Sequence, residues 1–245
     1  MEFRTYFIYN CFRSSNDFLG IFLGFKYRNN RKVKRRTIIV AAISINAIEI
    51  FKIIILSIRN GNVLDTILQT LPLFLCSIML IALPLAAFTK GKLKEASLDL
   101  VLIFGFIGGT LGTIGAAHDY NNYPVLSIDN FASAITHCIA AFSSIFIGIT
   151  KMASLKTKNM WIGITILLGV ATLAQIANLT IPHNYMFLES DDGTPYVIVT
   201  TIVNGNKILY KSFIVGLLVL LILIFYTIKI IVDKKAKKQY SSVYF

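Results

Sequence analysis

Charged residues are scarce in this sequence, and acidic residues are the scarcer kind. Only 15% of the 245 residues are charged, with 12 Asp and Glu against 24 Lys and Arg, whereas 56% are hydrophobic. The mean hydropathy is +0.69. These values exclude an ordinary soluble domain, in which charged residues make up about a quarter of the chain. We therefore expect an integral membrane protein, with little room for a second folded domain.

Cysteine and histidine are also few, with three of each. The cysteines at positions 11, 76 and 138 form no CxxC pair, and two of them lie inside apolar runs. The sequence therefore predicts no disulfide framework. The histidines at positions 118, 137 and 183 are scattered and show no zinc-ligand spacing. We expect neither a metal site nor a cofactor.

Six apolar runs are long enough to cross the hydrocarbon core, which takes about 20 helical residues. They lie at 37–58, 66–88, 98–117, 131–150, 160–181 and 208–232. The predicted fold is all-α: a polytopic membrane helical bundle with about six transmembrane helices. It divides into a basic N-terminal arm at 1–36, a transmembrane domain at 37–232 and a basic tail at 233–245.

Basic residues alternate from loop to loop. Nineteen Lys and Arg lie before the first run, in loops 89–97 and 151–159, and in the tail, whereas the other loops contain only Arg59 and Lys207. Because Lys and Arg concentrate on the cytoplasmic side, this pattern predicts a multi-pass protein of the cell membrane with both termini in the cytoplasm. Its expected partners are membrane lipids, whose anionic headgroups attract basic loops. Nucleic acid is not expected, and the oligomeric state stays open.

Two segments fit no span. The apolar patch at 18–25 is short, and the basic cluster RNNRKVKRR at 28–36 follows it, opposite to the order in a signal peptide. We interpret this stretch as an interfacial arm or the remnant of an extra helix. In the long outer loop 182–207, the β-prone run YVIVTTIV follows a polar turn. It predicts a hairpin or a re-entrant piece over the mouth of the bundle.

Polar residues within the spans predict which faces meet, because polar groups are costly in hydrocarbon and usually face the bundle interior. Glu49 is open to two interpretations: it contacts a substrate or carries a proton, or it forms a self-neutralising i,i+3 pair with Lys52. Glycines in the third span indicate close helix packing. The polar stripes are Asn46, Glu49 and Lys52 in the first span, Gln69 and Cys76 in the second, His137 in the fourth, and Gln175 and Asn178 in the fifth.

Cys76 and His137 are expected to meet in the outer half of the bundle. Their spans run in the same direction, and a rise of 1.5 Å per residue puts them roughly 15 Å and 9 Å below the outer ends. A thiol beside an imidazole is the minimum nucleophilic pair, in which the thiolate attacks an acyl carbon. The alternatives are a cysteine that only packs and a histidine that only hydrogen-bonds a neighbour. Cys138 points about 100° away from His137 on the helix and suits the role less well.

Several motifs carry a resemblance to a known family: LPLFLCS at 71–77, the histidine of the fourth span, NYMFL at 184–188 and the Pro–Tyr pair at 195–196. From about residue 40 onward, the chain resembles the YwaF-like integral membrane proteins of Firmicutes and Mollicutes. That family is similar to a eukaryotic membrane group that contains an ether-phospholipid acyltransferase, and more distantly to threonine-dependent hydrolases of fatty-acid esters. In the acyltransferase, a Cys and a His on separate spans are the proposed catalytic residues, and the resemblance assigns these roles to Cys76 and His137.

Two features depart from that family. Phe74 stands where many YwaF-like sequences have His, and the family is usually described with seven spans rather than six. The N-terminal arm takes the place of the first helix in this comparison.

The sequence and the resemblance together predict an acyltransferase or lipid hydrolase acting on membrane lipids. Cys76 and His137 should approach within about 4–5 Å and border a cavity apolar enough for an acyl chain. The alternative is a transport or substrate-binding subunit without catalysis, although the first span lacks an AxxxA face, and a purely structural protein is the third possibility. The expected substrate-binding residues are Gln69, Gln175, Asn178, Asn184 and Tyr185.

Overall fold

The computed structural model describes residues 3–114 and 127–243, with side chains described at 10–110 and 127–236. Within these ranges the chain is helical and contains no strand, which confirms the all-α prediction. The described helices are α1 (Phe3–Lys26), α2 (Arg31–Asn60), α3 (Val63–Gln69), α4 (Ile78–Phe88), α5 (Gly91–Ile114), α6 (Ile128–Ile149), α7 (Thr157–Thr180), α8 (Val197–Ile202) and α9 (Lys207–Val243), with a 3₁₀ turn at Tyr185–Phe187.

Four helices in the described part of the chain are long and apolar enough to cross a membrane. They are Arg31–Asn60, Ile128–Ile149, Thr157–Thr180 and Lys207–Ala236. These helices match the first, fourth, fifth and sixth expected spans, so the polytopic helical fold is confirmed. Helix α5 covers most of the third expected span but carries charged residues in its first half. The end of that span, at 115–117, lies outside the described residues.

The second expected span, 66–88, is not one helix. Helix α3 ends at Gln69 and α4 begins at Ile78, and the chain between them, 70–77, runs through tight turns. Pro72 accounts for the break, because proline has no backbone N–H and disfavours a helical conformation in the residue before it. In a membrane, non-helical backbone is tolerated only where it is buried in protein or lines a cavity. Segment 70–77 lines such a cavity.

Helices α5 and α6 form the most extensive contact of the bundle. A Cβ added at Gly105 would lie 2.7 Å from the carbonyl oxygen of Ala140, and one added at Gly109 would lie 2.5 Å from the Cβ of Ala141. Small residues spaced four apart allow this backbone approach. The expected packing role is confirmed for these two glycines. Around the pair, α1 and α2 pack on α6, α4 and α7 pack on α5, and α9 packs on α7.

A buried carboxylate attaches the loop between α6 and α7 to the bundle. Asp99 of α5 is 1% exposed. Its Oδ1 accepts the backbone N–H groups of Ser154 (2.8 Å) and Leu155 (2.9 Å), and its Oδ2 accepts the hydroxyl of Tyr226 (2.9 Å) and the amide of Asn159 (3.4 Å). Burying a carboxylate is costly unless hydrogen bonds satisfy it. Four donors do so here, and the sequence patterns identified none of them.

Helix α1 runs parallel to α6 and packs along it. The Nδ2 of Asn16 donates to the carbonyl of Cys138 (2.6 Å), and two turns later Gly24 lies against the side chain of Ile149. The start of α1 therefore lies at the end of the bundle where α6 begins, which the charge pattern assigns to the outside. Together with the charge pattern, this packing predicts an external start for α1, in place of the cytoplasmic N-terminus predicted from the sequence alone. This prediction agrees with the positions of the basic residues, since seven of the nine that precede the first run lie at 26–36, at the other end of α1 and beyond it.

The run expected to form a hairpin is helical instead. Val197–Ile202 makes up α8, and Val199 is buried where α8 packs on α9. β-Branched residues favour strands, but a helix satisfies its backbone groups without a neighbouring strand. Before α8, the carboxylate of Asp191 accepts the hydroxyl of Thr200 (2.6 Å) and the N–H of Gly193 (3.0 Å). These two hydrogen bonds, led by the first, hold the pKa of Asp191 below its usual range.

The position of α1 predicts where reporters will be found. A reporter at the C-terminus or in loop 89–97 should be cytoplasmic, and one inserted beside Asp191 should be external. A reporter ahead of α1 should also be external, because α1 is parallel to α6. Access of a membrane-impermeant thiol reagent to single engineered cysteines measures each position. A cytoplasmic N-terminus in a folded protein would contradict the α1 placement.

Two adjacent glycines should respond differently to alanine. Gly109→Ala should destabilise the protein by about 1–3 kcal/mol, because its Cβ collides with α6. Gly108→Ala should keep the thermal midpoint of wild type or raise it slightly, because its Cβ meets nothing within 4 Å and alanine favours helix. Thermal unfolding in detergent measures both variants. Equal losses at the two positions would show that close packing at Gly109 is not the cause.

Candidate functional site

A cavity of about 140 Å³ lies where α2, segment 70–77 and α6 meet. The sequence predicted that polar stripes from the first, second, fourth and fifth spans would converge. Residues from the first three of these stripes line this cavity, whereas Gln175 and Asn178 of the fifth do not. Polar groups inside an apolar bundle are costly and are a default indication of function. The lining residues with polar or thiol side chains are Glu49, Lys52, Gln69, Thr70, Cys76, Ser77, Ser133, Thr136 and His137.

Cys76 and His137 reach this cavity from different elements. Cys76 lies in the turns that follow Pro72, is exposed and lines the cavity. His137 lies on α6 and is 9% exposed. Its ring lies near the backbone of Gly108, which also lines the cavity.

The Glu49–Lys52 ion pair is present, with 2.5 Å between the Lys52 Nζ and the Glu49 Oε1. Both side chains are mostly buried, at 16% and 21% exposure. The pair predicted from the i,i+3 spacing is therefore confirmed. Both residues also line the cavity that contains Cys76 and His137, so the pair is part of the candidate site as well as a neutral unit.

The cavity is smaller and more polar than the acyl-chain cavity expected from the sequence. A volume of about 140 Å³ is close to that of cavities that hold one benzene-sized molecule. It has room for an ester group but not for a whole fatty-acyl chain. A larger groove of about 410 Å³ lies between α1, α2 and α6, but none of the predicted site residues lines it.

Of the predicted substrate-binding residues, only Gln69 lines the cavity. The others contact the outer loop. The Nδ2 of Asn178 donates to the carbonyl of Tyr185 (3.1 Å), and its Oδ1 accepts the N–H of Tyr185 (2.8 Å). The Oδ1 of Asn184 accepts the N–H of Glu189 (2.8 Å). These contacts fold the loop upon itself and attach it to α7.

Gln175 takes part in a second set of contacts that attach the outer loop to the bundle. The Oε1 of Glu189 accepts the Nζ of Lys211 (2.5 Å) and the Nε2 of Gln175 (3.1 Å). Burial raises the pKa of Glu189, but the two hydrogen bonds outweigh it and the net pKa lies below the usual value. The charged carboxylate therefore connects the loop to α7 and α9.

Tyr185 connects the outer loop to the broken span. Its ring is fully buried, and its hydroxyl donates to the carbonyl of Leu68, an acceptor left free where α3 ends. The ring also lies 5.2 Å from that of Phe74 and 4.7 Å from that of His183. Burial lowers the pKa of His183, so its ring is neutral at pH 7 and packs as an aromatic group. Because Phe74 lines the cavity, the loop supports one wall of the candidate site.

Tyr185→Phe should loosen the outer loop without emptying its packing. The variant loses only the hydrogen bond to Leu68, which corresponds to about 1–2 kcal/mol when a buried acceptor is left unpaired. Amide hydrogen exchange should become faster at 63–77. Tyr196→Phe is the control, because its ring packs on Phe187 and its hydroxyl bonds to no described residue. Unchanged exchange in Tyr185→Phe would show that the hydroxyl does not hold the broken span.

Comparison with known proteins identifies one family. The TMEM164 family matches residues 17–229, whereas neither a curated protein nor a solved structure matches the chain. The YwaF-like name suggested by the motifs is not the one that this match supplies. The matched range begins within α1, ends within α9 and includes the broken span, the cavity and the outer loop. The protein therefore belongs to the TMEM164 family.

Proposed function

We propose that this protein is a multi-pass enzyme of the cell membrane that transfers acyl groups from membrane lipids, with Cys76 as the nucleophile and His137 as the general base. The observation that carries the proposal is that the thiol and the imidazole line one small polar cavity beside a broken span. The resemblance of the motifs to a group containing an ether-phospholipid acyltransferase supports the same chemistry.

The reaction needs only these two side chains and the lipid substrates. The imidazole of His137 takes the thiol proton of Cys76, and the thiolate attacks the ester carbonyl of the donor lipid. The tetrahedral intermediate collapses, the C–O bond breaks, and the imidazolium protonates the departing lyso-lipid hydroxyl. An acceptor hydroxyl or water, deprotonated by His137, then attacks the thioester. The sulfur leaves as thiolate and takes back a proton.

The volume of the cavity supports a model in which different parts of the substrate lie in different places. Its volume of about 140 Å³ holds the ester group, while the acyl chain stays in the bilayer beyond the exposed side chains of Gln69 and Cys76. Gln69 borders the substrate. Gln175, Asn178, Asn184 and Tyr185 contribute indirectly, by holding the outer loop against Phe74.

Binding without catalysis is the competing function. The Glu49–Lys52 pair makes the cavity suitable for a small polar solute, as in a transport or substrate-binding subunit. Such a protein needs no nucleophile. The two functions therefore differ in whether an acyl group ever becomes bonded to Cys76.

Acyl trapping tests the proposal. Protein in nanodiscs that contain a phospholipid with an alkyne-tagged acyl chain should acquire a label that hydroxylamine removes, as expected for a thioester. Cys76→Ala should abolish the label. His137→Ala should slow its formation by about 10²-fold or more, because it removes the general base. Both variants should express at the level of wild type.

The other two cysteines provide matched controls. Cys138→Ala changes the residue adjacent to His137 in sequence, and Cys11→Ala changes an exposed thiol on α1, and neither lines the cavity. Both should label like wild type. Labelling that persists in Cys76→Ala would overturn the proposal and favour binding without catalysis.

A further inference from the structure

We propose that Lys52 supplies the positive charge that stabilises anions formed at Cys76, and that Glu49 determines how much of this charge the cavity receives. The first anion is the thiolate. The second is the oxyanion of the tetrahedral intermediate, and this part rests on the proposed function. If the charges of Glu49 and Lys52 only neutralised each other, the pair would stabilise neither anion.

The position of Lys52 is costly for a membrane helix. It lies eight residues before the end of α2 at Asn60, which is roughly 12 Å along the helix axis. A lysine at such depth usually faces a bundle interior and marks a site. The side chain of Lys52 is 21% exposed and borders the cavity rather than turning to lipid.

The hydrogen-bonding capacity of Lys52 is only partly used. An ammonium group has three N–H donors, and in the described part of the chain the only acceptor for them is the Oε1 of Glu49, at 2.5 Å. Two donors therefore remain for groups inside the cavity. Compare Asp99, whose two carboxylate oxygens accept four hydrogen bonds from the protein. Asp99 has the pattern of a structural group, whereas Lys52 has the pattern of a group that awaits a ligand.

The cavity contains few other charges that can act on the thiol. Its titratable lining residues are Glu49 and Lys52 on α2, Cys76 in segment 70–77, and His137 on α6. Helices α3, α4 and α5 line it with uncharged residues only. A nearby cation favours the thiolate and a nearby carboxylate opposes it. Preorganised positive charge in a water-poor site also stabilises an oxyanion as it develops. Lys52 and Glu49 should therefore act on Cys76 with opposite signs.

Alkylation of Cys76 tests this inference without any acyl donor. In a Cys11→Ser/Cys138→Ser background, the rate of reaction with iodoacetamide reports the thiolate fraction of Cys76. Below the midpoint of the pH–rate profile, Lys52→Met should react about tenfold more slowly than the parent, Glu49→Gln should react faster, and Lys52→Arg should retain the parent rate. The same series in a His137→Asn background separates the lysine effect from titration of the imidazole, and the order of rates should persist.

A second ion pair provides the matched control. Glu95 and Lys156 have the same chemistry, with a contact of 2.9 Å, but lie outside the cavity and do not hold the outer loop. Lys156→Met should leave the alkylation profile unchanged. The Glu49→Gln/Lys52→Met double variant removes both charges together, so that no unpaired carboxylate remains to unfold the protein. The double variant should be alkylated more slowly than Glu49→Gln. The ratio of these two rates should be about the same as the ratio of the Lys52→Met rate to the parent rate.

Two results would overturn the inference. The first is a Lys52→Met profile that coincides with the parent in folded protein. The second is a shift in the same direction in Lys52→Met and Glu49→Gln, which would indicate a packing effect. Charge-dependent alkylation without any thioester would overturn the acyl-transfer proposal alone, whereas thioester formation without charge dependence would overturn only the role of Lys52.

Discussion

The close approach of α5 and α6 is the contact on which the candidate site depends. Gly105 and Gly109 bring the α6 backbone so near that a single Cβ would collide with it. His137 lies one turn before the α6 residues at this contact, so the packing fixes the height of its ring opposite Gly108. Because Gly108 has no side chain and faces open space, the cavity persists beside the imidazole. One helix thus uses neighbouring glycines for two purposes, close packing and an opening.

The candidate site also depends on the break in the second expected span. A continuous helix through residue 76 would satisfy its backbone internally. Pro72 prevents it, and the turns at 70–77 bring Cys76 to the cavity edge. A break at membrane depth leaves backbone acceptors that water does not reach. The hydroxyl of Tyr185 satisfies one of them at Leu68. The outer loop therefore helps to stabilise the break by satisfying this backbone carbonyl.

Charged groups in the bundle have two different surroundings. Asp99 receives four hydrogen bonds and connects α5, α7, α9 and the loop between α6 and α7. Glu49 and Lys52 contact each other and a cavity. A fully satisfied group contributes to the fold, because its hydrogen bonds offset the cost of burying the carboxylate and each lost partner reduces that compensation. In the role that we propose for it, the partly satisfied Glu49–Lys52 pair acts electrostatically on a ligand in the cavity. The Asp99 cluster would then serve stability and the Glu49–Lys52 pair chemistry.

The sequence by itself determined the features that arise from short-range periodicity. Hydrocarbon demands long apolar helices, so the apolar runs predicted the all-α fold and four helices that are long and apolar enough to cross a membrane. The i,i+3 spacing predicted the Glu49–Lys52 pair. Only the tertiary structure decided that 66–88 is broken, that α1 lies parallel to α6, and that Asp99 gathers donors from distant segments. These outcomes depend on contacts between residues far apart in the chain. A local sequence pattern does not indicate which hydrogen-bond donor a backbone carbonyl or a carboxylate will contact.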